Sequence, residues 1–178
     1  EVYEEALAHS IAVVASNKIA TSDAQERYEG LKELALRAGV EYRFETNVGA
    51  GLPLIDTIQH LVQSGDRIHK IEGMFSGTLN YVFSNFNSGI TFKKVIEDAR
   101  AAGLTEPDPR TDLSGIDVQR KILILAREAG YTLEMSDVAG KGFLLDSQME
   151  GSIDAFMDGL PQIEEAMQEK WKEADAKG

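Results

Sequence analysis

The chain has 178 residues, 43% apolar and 27% charged, with a formal charge of −12 and no cysteine. This is globular composition, sufficient for one medium domain or one domain plus part of a second. The charge argues against nucleic-acid binding, and the missing cysteine excludes disulfides, thiolate metal sites and cysteine nucleophiles. No apolar run is long enough for a membrane span, and no signal peptide is visible. Absence of cysteine agrees with a cytoplasmic location. His9, His60 and His69 are too scattered for a transition-metal pair.

Val2 to His9 reads as the tail of a helix. Ile11 to Ala15 is an apolar, β-branched run, predicted to be a strand buried on both faces of a parallel sheet. Ser16-Asn17-Lys18 turns the chain. Ser22 with Gln25 forms a predicted capping box for a helix to about Ala38, with Tyr28, Leu31, Ala35 and Ala38 inward and Gly39 as its stop. Tyr42 to Glu45 is a second short strand. Strand, helix, strand makes a right-handed βαβ unit, so the chain is expected to open inside an α/β sheet whose first strands lie upstream.

Asn47 to Pro53 is a glycine-rich turn, read as needing positive φ, and Leu54 to about Gln63 is a helix. Ile68 to Phe75 alternates as a strand should. Thr78 is the predicted cap of a helix bearing Leu79, Val82 and Phe83. Thr91 caps another, with Phe92, Val95, Ile96 and Ala99 inward and Gly103 at its end. Thr105 to Ser114 is a polar loop stiffened by Pro107 and Pro109. A largely apolar helix runs on to about Ala129, with Val118, Ile122, Leu125 and Ala129 as one stripe. Ser152 caps a further helix, Pro161 starts the next, and the acidic end from Glu164 reads as a solvated helix face.

Four places could carry chemistry. Gly49-Ala50-Gly51 follows a strand, but Leu54 stands where a dinucleotide fingerprint needs its third glycine, so that match fails. An oxygen cage for a hard cation is the other reading, with Glu45 and turn carbonyls as ligands. Lys18 follows the carboxyl end of a strand, where parallel sheets bind ligands; it could equally be a solvated loop lysine. Phe75-Ser76-Gly77-Thr78 leads into a helix start whose free N–H groups could meet a carboxylate or carbonyl, or simply be capped. The richest stretch is Glu106 to Lys121. Its carboxylates would suit a substrate with an amino group, and Asp117 and Lys121 share a helix face. A lysine on so apolar a helix, beside a carboxylate, can carry protons; the plain alternative is an i,i+4 salt bridge.

These residues together resemble the homoserine dehydrogenase family. The segments that carry the resemblance are Ser16-Asn17-Lys18, Glu45 to Pro53, Gly73 to Tyr81 and, most specifically, Gly103 to Lys121 with its Glu-Pro-Asp-Pro start and Asp-x-x-x-Lys end. It extends from about residue 11 to 160 and is similar to the dehydrogenase half of bifunctional aspartokinase–homoserine dehydrogenases.

The resemblance implies interconversion of aspartate semialdehyde and homoserine with NADP or NAD, within threonine and methionine biosynthesis. Lys121 would be the catalytic proton carrier, with Lys18 sharing the work. Lys18 and Ser16 would face the cofactor. Glu106, Asp112 and Asp117, with the backbone at Gly77 and Thr78, would hold the substrate. A monovalent, sodium-like cation would sit on Glu45 and the carbonyls of Val48, Ala50 and Leu52.

The expected fold is α/β, a partial nucleotide-binding βαβ unit leading into a mixed sheet covered by helices in an α+β substrate domain. The expected domains are a nucleotide-binding remnant over 1–46, a catalytic domain over 47–160 and an acidic helix over 161–178. A small-molecule substrate, no nucleic acid, no membrane and a homodimer or higher homo-oligomer complete the expectation. The rival readings are a semialdehyde dehydrogenase, which usually needs a cysteine nucleophile, and a non-catalytic oligomerisation or regulatory module.

Overall fold

The computed structural model describes residues 2–140, 144 and 149–177. Its backbone contacts divide the chain into two compact units. Unit 1 is residues 1–75 with 118–140, and unit 2 is residues 76–117 with 141–178.

Unit 1 opens with α1 (Val2–Ala8), β1 (Val13–Val14), a 3-10 turn (Ala20–Ser22), α2 (Gln25–Ala38) and β2 (Tyr42–Arg43). The two strands pair in parallel, Val13 with Tyr42 and Val14 with Arg43, so the βαβ unit forms as expected. Gly39 ends α2 at φ 66°, the left-handed conformation that glycine adopts without strain. The strand is not buried on both faces, however. Val13 and Ala15 are in the core while Val14 is 84% exposed. One apolar layer, with Leu7, Leu31 and Ala35, covers one side of β1.

The start of α2 also departs from expectation. Ser22 lies in the 3-10 turn and its hydroxyl donates to the Lys18 carbonyl at 2.7 Å. Glu134, 109 residues away, caps α2 instead by accepting from the Gln25 N–H at 3.0 Å.

The chain continues through a single helical turn, α3 (Thr46–Gly49), and α4 (Leu54–Gln63). The positive φ expected of a glycine here falls on Ala50, at 50°. Gly49 leaves little room for a side chain. A Cβ there would lie 2.7 Å from Leu54 Cδ1, closer than packed carbon atoms approach.

Ile68 to Phe75 is not a strand. Ile68, Ile71 and Phe75 lean on the core, a spacing of three and four where a strand needs two, and no neighbouring backbone pairs with the segment. The expected mixed sheet is therefore absent among the described residues, whose strands are β1 and β2 alone.

Unit 2 is helical among its described residues: α5 (Gly77–Asn85), α6 (Phe92–Ala101) and α7 (Pro109–Leu113), then α9 (Ile153–Gly159) and α10 (Glu164–Asp175). Thr91 and Ser152 cap their helices as predicted, accepting from the N–H groups of Lys94 and Ala155. The first cap of the unit is Ser76, not Thr78; its hydroxyl accepts from Leu79 N–H at 3.1 Å. Phe92, Val95, Ile96 and Ala99 are fully inward as expected, and Phe92 meets Phe86 edge to face. No described helix is long and apolar enough to cross a membrane.

The helix α8 (Ile116–Glu128) runs from the end of unit 2 into unit 1. Its buried residues are Leu123, Ile124 and Leu125, joined by Arg127 and Glu128; Val118 and Ile122 of the expected stripe are half-buried.

Candidate active site

Lys121 projects from the middle of α8. It is half-buried, and its ammonium donates to the Phe75 carbonyl at 2.6 Å. The apolar residues Leu123, Ile124 and Leu125 that follow it on α8 are buried, and the amine itself ends on a backbone acceptor. A charge-assisted bond of that length orients a side chain that would otherwise sample many rotamers.

Beyond the carboxyl end of β1, Ser16 is exposed and Lys18 half-buried. Asn17 Oδ1 accepts from Ile19 N–H at 2.8 Å, and the Lys18 carbonyl accepts from the Ser22 hydroxyl at 2.7 Å. The loop is thus a wound turn that holds its backbone polar groups, with Ser16 at its entry.

Glu45 is half-buried and its two carboxylate oxygens accept from Ile55 N–H (2.9 Å) and Asp56 N–H (2.8 Å), closing the start of α4. This is a helix cap delivered from ten residues upstream, aided by the positive end of the helix dipole. The Leu52 carbonyl accepts from Leu54 N–H at 2.9 Å. Among the described residues no cluster of His, Cys, Asp or Glu has a metal-binding arrangement.

Unit 2 brings three of its predicted residues together. The Thr78 hydroxyl lies 3.0 Å from Asp112 Oδ1 and 2.5 Å from the Leu104 carbonyl. Asp112 Oδ2 accepts from the Glu106 N–H at 2.9 Å. Asp112 therefore staples the proline loop to the first turn of α5 and sets the backbone from which Glu106, itself exposed, extends. Gly77 is the exposed first residue of α5, and a Cβ built on it would meet nothing within 4 Å. Asp117 is half-buried in the first turn of α8.

The loop has a further organiser that the sequence reading passed over. Arg110 makes a two-pronged pair with Asp108, shortest at 2.6 Å, and donates to the carbonyls of Met149, Glu150 and Gly151. The Arg110 guanidinium holds the Asp108 carboxyl below its ordinary range. The signal was visible as Asp-Pro-Arg: an N-cap, a proline at N1 and a basic partner two places on.

Unit 1 likewise holds a network with no motif behind it. The buried Glu128 carboxylate accepts from Tyr28 and from Gln59 (2.7 Å), and Lys32 donates to both its oxygens at 3.0 and 3.1 Å. Burial, then the neighbouring carboxylate, push the Tyr28 phenol well above its ordinary pKa. Arg127 stacks 5.1 Å over the Tyr28 ring and donates to the carbonyls of Thr21 and Leu133.

The family model described as homoserine dehydrogenase matches residues 53–178. The chain belongs to the homoserine dehydrogenase family. It is 44% identical, over 177 residues, to the chloroplastic bifunctional aspartokinase/homoserine dehydrogenase 1 of Zea mays, covering 99% of this chain and 19% of that one. The chain thus spans about a fifth of the length of this curated relative. A crystal structure of a protein of unknown function from Candida auris superimposes with a TM-score of 0.91 at 31% identity, over 98% of this chain and 51% of that one. A hyperthermophilic archaeal homoserine dehydrogenase in complex with NADPH gives 0.65 at 31% identity, over 71% and 39%. The expected α/β character agrees with the likeness to the archaeal homoserine dehydrogenase.

Proposed function

We propose that the polypeptide carrying this chain is an NAD(P)-dependent homoserine dehydrogenase, interconverting L-aspartate 4-semialdehyde and L-homoserine for threonine and methionine synthesis in the cytoplasm. The observation that carries the reading is the half-buried Lys121 ammonium, held on α8 by the Phe75 carbonyl. A bound nicotinamide cofactor supplies the hydride. As the carbonyl of the semialdehyde becomes an alkoxide, Lys121 stabilises the growing negative charge and then gives its proton to that oxygen. In the oxidising direction the same amine takes the hydroxyl proton.

Glu106, Asp112 and Asp117 serve the substrate ammonium, and the backbone at Gly77 and Thr78 orients the rest. The open space at the Gly77 Cβ position suits close approach of a substrate to that backbone. Holding the ammonium in place converts an encounter into an oriented reaction.

Ser16 and Lys18 would meet the cofactor beyond the carboxyl end of β1. The residues present fit its nicotinamide end alone, since no glycine-rich phosphate turn occurs in these 178 residues. A monovalent, sodium-like cation would be held by Glu45 and the carbonyls of Val48, Ala50 and Leu52. The all-oxygen donor set fits a hard cation, and each Glu45 oxygen keeps a lone pair after capping α4. The polypeptide would assemble as a homodimer or higher homo-oligomer.

The test is Lys121→Ala in the complete polypeptide, followed by homoserine-dependent reduction of NADP and NAD. Turnover is expected to fall about 10²- to 10⁴-fold with the melting temperature little changed. Near-normal turnover in a folded variant would reject the role of Lys121.

A further inference from the structure

The loop that carries Lys18 is gripped by a buried side chain from the Glu45 to Pro53 segment. Asn47 sits on α3 and is fully buried, 30 residues from the loop it touches. With its amide turned to satisfy its neighbours, the nitrogen donates to the carbonyls of Ala15 and Ser16, both at 3.0 Å. Its oxygen accepts from the Thr21 hydroxyl at 2.7 Å.

Three bonds therefore bracket Lys18, two before it and one after. Arg127 adds a fourth, donating to the Thr21 carbonyl at 3.0 Å. The consequence for the loop is one-sided. Ala15, Ala20, Thr21 and Ser22 are buried, while Ser16, Asn17 and Ile19 are exposed and Lys18 stands between.

A fully buried carboxamide is costly unless its groups are paired, and an apolar residue would fill the same space without that demand. What the carboxamide does here, and an apolar residue could not, is hold two successive carbonyls at the end of a strand. We propose that Asn47 is a positioning residue: it sets the backbone from which Lys18 meets the nicotinamide cofactor, so cofactor affinity depends on Asn47 through Lys18. The inference rests on the cofactor role proposed above for Lys18. Asn47 itself touches the loop and not the reacting atoms.

The experiment is a double-mutant cycle in the complete polypeptide, using Asn47→Asp, Lys18→Ala and the pair. Asn47→Asp keeps the shape but turns one carboxylate oxygen on the two carbonyl acceptors, while the other still accepts from Thr21. The readout is direct binding of NADPH, with NADH in parallel, followed by fluorescence without substrate; kcat and the KM for homoserine are measured alongside. Thr21→Val, which removes one bond and little volume, serves if Asn47→Asp does not fold. Ile55→Val, a core change in the same unit, controls for lost stability.

Asn47→Asp is expected to weaken NADPH binding about tenfold, and Thr21→Val less, while Ile55→Val lowers the melting temperature without moving affinity. In the Lys18→Ala background the Asn47 substitution should change affinity by under about twofold, because contacts that act through one residue are not additive. An undiminished effect in that background, or normal binding by Asn47→Asp where Lys18→Ala binds poorly, overturns the inference and leaves the reading of Lys18 standing. Normal binding and turnover by Lys18→Ala overturns both.

Discussion

Unit 1 and unit 2 face the same difficulty at their helix starts, where the first N–H groups lack partners inside the helix, and they meet it over different distances. In unit 2 most caps are local: Ser76, Thr91, Asp108 and Ser152 each stand just before their own helix, and Glu164 onto Phe92 is the remote addition. In unit 1 the carboxylates arrive from elsewhere, Glu134 onto α2 and Glu45 onto α4. The same contrast holds in the interior. Unit 1 buries Glu128, Arg127, Asn47 and Thr21 in bonds between distant segments, whereas among the described residues the buried side chains of unit 2 are apolar apart from Thr78. Unit 1 should therefore be sensitive to single polar deletions far apart in sequence, and unit 2 to the loss of apolar volume and of nearby caps.

The largest expected effect is Glu128→Ala. It leaves the Tyr28 hydroxyl and the Gln59 amide without their acceptor and should cost unit 1 about 2–4 kcal/mol. The single tryptophan, Trp171, lies in unit 2, so its fluorescence reports that unit while hydrogen exchange at α2 and α8 reports the other. Equal destabilisation seen by both probes would break the contrast. Gly49→Ala comes next, at about 1–3 kcal/mol, because the added methyl meets Leu54. A thermal melt as stable as the parent's would show that Leu54 can move aside.

Caps should cost about 1 kcal/mol each whether near or remote: Glu134→Ala in unit 1, Thr91→Ala in unit 2, and Glu164→Ala, which releases the Phe92 N–H it accepts from at 2.6 Å. Denaturant midpoints at constant slope would measure this.

The smallest effects are those of pH, and they have opposite signs. Burial raises Tyr42 to about 12, and Tyr28 is raised too. Neutral phenol is the favoured folded form, so this stability is complete below the ordinary tyrosine value of about 10 and is lost as pH rises through the folded values. Absorbance at 295 nm should show two of the five tyrosines ionising late, and Tyr42→Phe should remove one. In unit 2 the Arg110 pair lowers Asp108. That contribution is present above the ordinary aspartate value of about 4 and lost as pH falls through the lowered one. Asp108→Asn should flatten the acid limb seen by Trp171; an unchanged limb would mean the pair adds nothing.

These distances explain how much could be read from residues in a row. Thr91 with Phe92, Val95, Ile96 and Ala99, Ser152, and Gly39 after Ala38 act within one helical turn, so spacing along the chain carries all the information their geometry needs. The half-buried position of Lys121 was legible for a related reason: a lysine interrupts the apolar period of α8. The Asp-Pro-Arg start of α7 was equally local, though it was read as loop.

Position 22 was misread because a serine before a helix can bond in two directions, and the Lys18 carbonyl competed successfully for its hydroxyl. Ile68 to Phe75 was misread because alternation specifies two faces but supplies no neighbouring strand. Asn47, Arg127 and Glu128 could not be ranked at all from their neighbours. A polar side chain is buried where partners arrive from segments 26 to 106 residues distant, and local spacing is silent about such meetings. Short-range chemistry thus selected the helices, many of their ends and the lysine set into α8; the buried polar joints that hold the Lys18 loop came from packing, because only the folded chain brings donor and acceptor within reach.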